Sequence, residues 1–183
     1  MKKQRKAAQI NEVIVVENPL EWIFARRSIR KFHSNPVEDD KIDLLLQAAM
    51  AAPSANNAKP WHFIVLKNRQ RLNQLAATHP YAKMCYEALL AIAVCADSSR
   101  SPNYWPQDCS AATQNILLAA TSLGLGTVWL GVHPRLERKE AVKKIFGVPD
   151  EIELLSVVAI GYPAEMKPPR TQYDKTRVHV EEW

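Results

Sequence analysis

Hydrophobic positions along this chain switch between a helical period near 3.6 and short apolar runs, and those switches predict the elements. From residue 38 onward Ile42, Leu45, Leu46, Ala49 and Met50 recur at helical spacing. Glu38, Asp39 and Asp40 crowd the first turn, where their charge complements the helix dipole, and Pro53 ends the helix. Ala112, Ile116, Ala119, Ala120 and Leu123 mark a long buried helix, closed by Gly124 in the place of a C-cap glycine. Shorter helices are predicted over 20–26, started by Asn18-Pro19, and over 69–78, 81–89 and 136–146, the last of basic character. Residues 61–66, 126–130 and 155–160 read as strands, and the unbroken apolar run 91–96 as a strand covered on both faces. Residues 28–32 read as extended chain before the turn at Asn35-Pro36, and 98–107 as a loop holding Pro102 and Pro106. Pro163, Pro168 and Pro169 make 162–175 irregular, and 178–182 reads as a short closing strand. Helices and strands interleave without an internal repeat, which points to a mixed sheet covered by helices.

Composition turns this pattern into one compact domain, residues 18–183, behind a polar tail, residues 1–17: the chain has 183 residues and is 47% hydrophobic. The net charge of +5 matters through its distribution, because residues 1–31 carry eight basic and three acidic side chains and so account for all of it. Half of those cations form a solvated N-terminal run; the others are Arg26, Arg27, Arg30 and Lys31. A nucleic-acid binder is disfavoured, since basic and aromatic side chains do not interleave on any sheet pattern. Cys85, Cys95 and Cys109 have neither disulfide-framework nor zinc spacing, and the apolar run 13–16 is too short for a signal-peptide core. No stretch reads as a membrane span, so a soluble cytoplasmic protein is expected.

Two segments carry candidate chemistry. Arg26, Arg27 and Arg30 flank Ser28 where a helix passes into extended chain, which brings the Ser28 hydroxyl and the Arg30 guanidinium to one side. Guanidinium forks match phosphate oxygens, so the cluster suits a phosphate monoester; taken alone it reads more readily as a solvated basic turn. Pro53-Ser54-Ala55-Asn56-Asn57 is rich in small and amide side chains, which lets backbone approach a planar ligand; taken alone it is an ordinary turn-forming loop. His62 and His133 read as structural histidines, and nothing local pairs Cys109 with His79 or His133 as a nucleophile. Tyr104 and Trp105, between two prolines, are expected to project as a stiff aromatic lid. No catalytic side-chain acid or base, metal site or GxGxxG fingerprint is found, so a nicotinamide cofactor would be a transient substrate.

The order of the segments carries more than either alone. RRSIR (26–30), a helix rich in Leu and Ala, PSANNAKPW (53–61) running into HFIVL, QNILLAATSLGLGTVWLG (114–131) and AIGYP (159–163) together resemble the nitroreductase family of FMN proteins over 18–183. The resemblance implies an α+β, three-layer fold, a mostly antiparallel central sheet flanked by helices, in a homodimer with exchanged C-terminal arms. It also implies an FMN-dependent NAD(P)H oxidoreductase that reduces nitroaromatic or quinone-like acceptors by a ping-pong two-electron mechanism. The alternative, of a different class, is a flavin-binding or flavin-consuming protein without turnover. Carried over, Arg26, Ser28, Arg30 and Arg177 would hold the FMN phosphate, and Arg27 would add backbone or ring-edge contacts. Trp129, Leu130 and Gly131 would lie along the ring, and Pro53, Ser54, Ala55 and Asn57 would reach it from the second protomer. Lys59 stands where the family usually has Gln, and Lys83 is a candidate cation for the flavin O2 side.

Overall fold

The computed structural model describes residues 20–183; the Asn18-Pro19 helix start and the 1–17 tail lie outside the described residues. Strands β1 (Trp61–Leu66), β2 (Leu90–Asp97), β3 (Gly126–Gly131) and β4 (Ile152–Gly161) form one sheet in the order β1-β2-β4-β3, with every neighbouring pair antiparallel. The apolar run of β2 lacks alternation because both of its faces are covered. Leu90, Ile92, Val94 and Ala96 share a buried cluster with Ile42 and Leu45 of α2 (Asp39–Met50) and with Ala112 and Ile116 of α4 (Trp105–Ser122). Ala91, Ala93 and Cys95 share the other with Leu72 and Leu75 of α3 (Arg69–Thr78) and Val142 and Phe146 of α5 (Leu136–Phe146). The architecture is therefore α+β in three layers, as expected. Leu45, Ile92 and Ile116 are fully buried, each burial stabilising by about 1.5–3 kcal/mol.

Local signals set the helix ends. The Asn68 side chain accepts from the Arg71 N–H at 3.0 Å and caps α3, while Asp39 and Asp40 occupy the first turn of α2. Gly124 follows α4 in the left-handed region at φ 74°, the conformation its sequence position called for.

Three expectations need correction. Residues 81–89 contain only a 3-10 turn, Lys83–Tyr86: the Arg69 guanidinium donates to the carbonyls of Cys85 and Ala88 (2.9 Å to Ala88) and satisfies backbone that a helix would have paired internally. Residues 98–107 are not all loop, because α4 begins at Trp105 with Pro106 in its first turn, where a missing N–H costs no hydrogen bond. Trp105 is consequently 7% exposed and meets the His133 ring edge-on at 4.8 Å, so it is a core residue rather than a lid, and only Tyr104 projects. Residues 178–182 form no strand among the described residues. A strand needs a pairing partner, and Val178, Val180 and Trp183 lie exposed along an irregular arm that contains only the 3-10 turn Lys175–Arg177.

Candidate functional site

After α1 (Glu21–Ala25) the chain straightens, and residues 26–33 are held from two sides. On one side Ile29 N–H donates to the Thr127 carbonyl at 2.9 Å and Ser28 bridges Thr127 at the β3 edge of the sheet. On the other lies the segment 162–170. Arg30 N–H donates to Glu165 Oε1 (2.5 Å), Lys167 Nζ to the Ser28 carbonyl (2.6 Å), and Arg170 N–H to the Phe24 carbonyl (3.1 Å). Gly126 and Gly161, paired across β3 and β4, make room for this docking: a Cβ on Gly126 would fall 2.8 Å from Ile29, and one on Gly161 2.9 Å from Phe32. Two missing side chains thus seat Ile29 and Phe32 on the sheet and fix Arg30 between them.

The arginines separate in role. The Arg27 guanidinium donates to the Pro168 carbonyl and ties the arm down. Arg26 forms no ion pair among the described residues, and burial, then the like charges of Arg170 and Arg27, hold its guanidinium below the usual arginine range. A half-buried cation repelled by two others is a place where an anion is favoured. Arg30 lines a cavity of about 450 Å³ with Trp129, Leu130 and Gly131 and with Tyr81 and Lys83. A Cβ built on Gly131 meets nothing within 4 Å, so no packing among the described residues explains the missing side chain there, and the strand offers bare backbone to whatever enters. The Gly131 carbonyl accepts from His79 Nε2 at 3.0 Å and from Arg138 Nη1 at 2.7 Å.

The second candidate segment lies across the sheet. Residues 53–59 lead into β1, the edge opposite β3, roughly 14 Å from it at three strand spacings. This loop is internally built: Asn57 N–H donates to the Ser54 carbonyl, Lys59 N–H to Ser54 Oγ, and Ala55 N–H to the buried Asp108 carboxylate at 2.9 Å. Asn56, Asn57 and Lys59 all have φ near 50°, a left-handed run that asparagine tolerates and lysine adopts at a cost of about 1–2 kcal/mol. Pro53 and Asn57 are exposed. Asp108 also accepts from the buried Ser101 hydroxyl at 2.8 Å, so Asp108→Ala strands two donors. The expected result is destabilisation by about 1–3 kcal/mol per stranded group, with Asp108→Asn in between, measured by thermal denaturation.

Sequence reasoning missed Arg170, Asp108 and His79, whose importance comes from what the fold sets beside them. Arg177 is not brought to the other arginines; its exposed guanidinium pairs with Asp174 at 3.2 Å within the arm. Burial pushes the Cys109 thiol up to about 12, which leaves it no nucleophilic character near neutral pH. No helix among the described residues is long and apolar enough to cross a membrane.

The family model described as "Nitroreductase family" matches residues 23–101 and 84–162. A Methanothermobacter thermautotrophicus protein, provisionally named NADH dehydrogenase/NAD(P)H nitroreductase, is 49% identical over 166 residues, spanning 90% of this chain and 87% of its own. A solved structure of the same provisional name from Bacteroides thetaiotaomicron is similar with a TM-score of 0.87 at 47% identity, covering 90% of this chain and 97% of that one. An FMN-dependent nitroreductase from Clostridium difficile is similar at a TM-score of 0.85 and 30% identity, covering 90% and 99%.

Proposed function

Because the chain belongs to the nitroreductase family, we propose that its flavin-dependent NAD(P)H oxidoreductase activity runs on FMN held in the cleft beside Arg30. The observation that carries this reading lies along one short segment, residues 26–30. At its start Arg26, without an ion pair among the described residues, stands close enough to Arg170 and Arg27 to feel their charge, and four residues on Arg30 lines a cleft with Trp129, Leu130 and the bare backbone of Gly131. Such a segment suits a ligand with a phosphate at one end and a flat ring at the other. Arg26, Ser28, Arg30 and Arg170 would hold the phosphate, and Arg27 would act through its tie to Pro168. Arg177 would have to reach the site by movement of the arm or from a second copy. Lys83, which also lines the cleft, would be the cation on the ring side.

The sheet supports a homodimer. Pro53, Ser54, Ala55 and Asn57 stand at the edge opposite Arg30, so a site using both segments takes them from different chains. The exposed apolar side chains of the arm, Val178, Val180 and Trp183, favour burial against a second protomer. When bound, FMN supplies the two-electron chemistry, accepting hydride from NAD(P)H and passing the electron pair to an electron-poor acceptor such as a nitroaromatic or quinone. The chain's own contribution is to orient the ring, exclude water with the aromatic wall of Trp129 and Tyr81, and leave one face open for donor and acceptor in turn. No side-chain acid is required for either half-reaction.

The purified protein is expected to be yellow, to lose its flavin absorption under anaerobic NADH or NADPH, and to regain it on adding a quinone or nitroaromatic. Bound FMN that neither nucleotide bleaches would favour a flavin-binding protein without turnover. A protein that does not take up added FMN would overturn the reading altogether.

A further inference from the structure

We infer that His79 is a positioning residue that clamps two walls of the cofactor cleft, the Gly131 carbonyl and the Tyr81 backbone, through a single neutral tautomer. The inference rests on reading that cleft as the flavin site. His79 follows the last turn of α3 and is 1% exposed. Tyr81 N–H donates to its Nδ1 at 3.2 Å, and its Nε2 lies 3.0 Å from the Gly131 carbonyl oxygen. An amide can only donate and a carbonyl can only accept, so Nδ1 is bare and Nε2 carries the proton. One ring therefore joins a residue of β3 to a second residue that lines the same cleft.

Arg138 of α5 closes the ring of contacts. Its Nη1 is the second donor to the Gly131 carbonyl, and its guanidinium lies 5.6 Å from the centroid of the Tyr81 ring. Gly131 has no side chain to hold its peptide planes, and it faces the cleft where a flat ring would rest on backbone. Two donors on one carbonyl hold those planes still. The charged and titratable groups facing His79 are the Arg138 guanidinium from α5 and the Tyr81 ring, 6.1 Å away between centroids; β3 presents only the Gly131 carbonyl.

A second proton on His79 would undo the arrangement, because Nδ1 would become a donor facing the Tyr81 N–H and the imidazolium would stand beside Arg138. Burial holds the ring below its usual pKa, the Gly131 carbonyl opposes this, and Arg138 lowers it further. A depressed folded pKa means that the clamp is intact above the unfolded value of about 6.5 and is lost as pH falls through the folded value.

The test is FMN affinity by fluorescence titration from pH 5 to 7.5, with thermal melting of each apoprotein alongside. His79→Gln can place an N–H donor near the position of Nε2 but has no acceptor at the position of Nδ1, so it loses the bond from the Tyr81 N–H, and it cannot titrate. FMN's own phosphate gains a proton near pH 6, which affects all proteins alike, so the readout is the ratio of variant to wild-type dissociation constants. At pH 7.5 wild type is expected to bind about tenfold tighter than His79→Gln, the worth of one well-placed hydrogen bond, and the ratio should fall toward one as His79 gains its proton, followed in the same samples by its imidazole NMR signals. A ratio that equals one at pH 7.5, or that stays constant while His79 gains its proton, overturns the inference. Should His79→Gln lack a cooperative melt, Arg138→Met decides without touching the buried ring. It removes one donor from Gly131 and one repelling charge from His79, so FMN should bind several-fold more weakly at pH 7.5 and the acid-side loss should begin at higher pH. Wild-type behaviour in Arg138→Met also overturns it, whereas failure of wild type to bind FMN would sink the functional reading instead.

Discussion

Removing Arg26 and Arg170 together is expected to cost FMN affinity while leaving the apoprotein as stable as wild type or more so. The two signs differ because the same charges do opposite things in the two states. Without an anion, Arg26 is half-buried, unpaired and repelled by Arg170 and Arg27, so its truncation relieves the folded chain. With a phosphate present, each arginine offers charge-assisted hydrogen bonds worth about 1.5–3 kcal/mol, so each truncation should weaken FMN roughly 10- to 150-fold. Arg26→Lys should recover part of the loss, since an ammonium keeps the charge and forfeits the bidentate fork. Flavin fluorescence titration supplies the affinities, and thermal melting with and without inorganic phosphate supplies the stabilities. A double variant that melts lower than wild type in phosphate-free buffer and still binds FMN normally would show these arginines to be structural ties, as Arg27 already is.

How much of this was legible in the sequence depends on how local each signal is. The helices at 39–50 and 69–78, the doubly covered β2 and the glycine after α4 could be read because their periodicity and caps lie within a few residues. Trp105 could not: Pro106 looked like a breaker, and only the helix geometry reveals it in a first turn where proline is tolerated. The closing strand at 178–182 has strand-like residues but no partner among the described residues. For the site, Arg30, Trp129, Leu130 and Gly131 were found by motif and share one cleft. Arg170 escaped notice because a proline-rich run gives no hint of where it folds back, and the Arg170 N–H to Phe24 bond joins residues far apart in sequence. His79 escaped for the same reason, since its two hydrogen bonds define a role that neither neighbour in sequence announces.

The arrangement of candidate segments at opposite sheet edges leads to a sharper expectation, that two defective chains should together rebuild one working site. Suppose one chain carries Arg26→Ala with Arg30→Ala, and another carries Pro53→Trp. Pro53 is exposed and has no backbone N–H to lose, so a bulky residue there blocks the cleft of a neighbouring chain without undoing the loop's own bonds to Ser54 and Asp108. Each homodimer then has two damaged sites. In the heterodimer, one site combines both lesions, while the other joins intact arginines from the second chain to an intact loop from the first. Differentially tagged chains, co-expressed and purified through both tags, should therefore hold about half the flavin of wild type per chain and recover about half its anaerobic bleaching by NADH, as expected if the loop reaches its flavin from the second subunit. Were each site built within one chain, the arginine-deficient chain would stay empty and the Pro53→Trp chain would behave the same alone as in the mixture. Equal flavin per Pro53→Trp chain in the homodimer and the heterodimer would thus refute the shared site, and it would do so even if both proteins prove to be stable dimers.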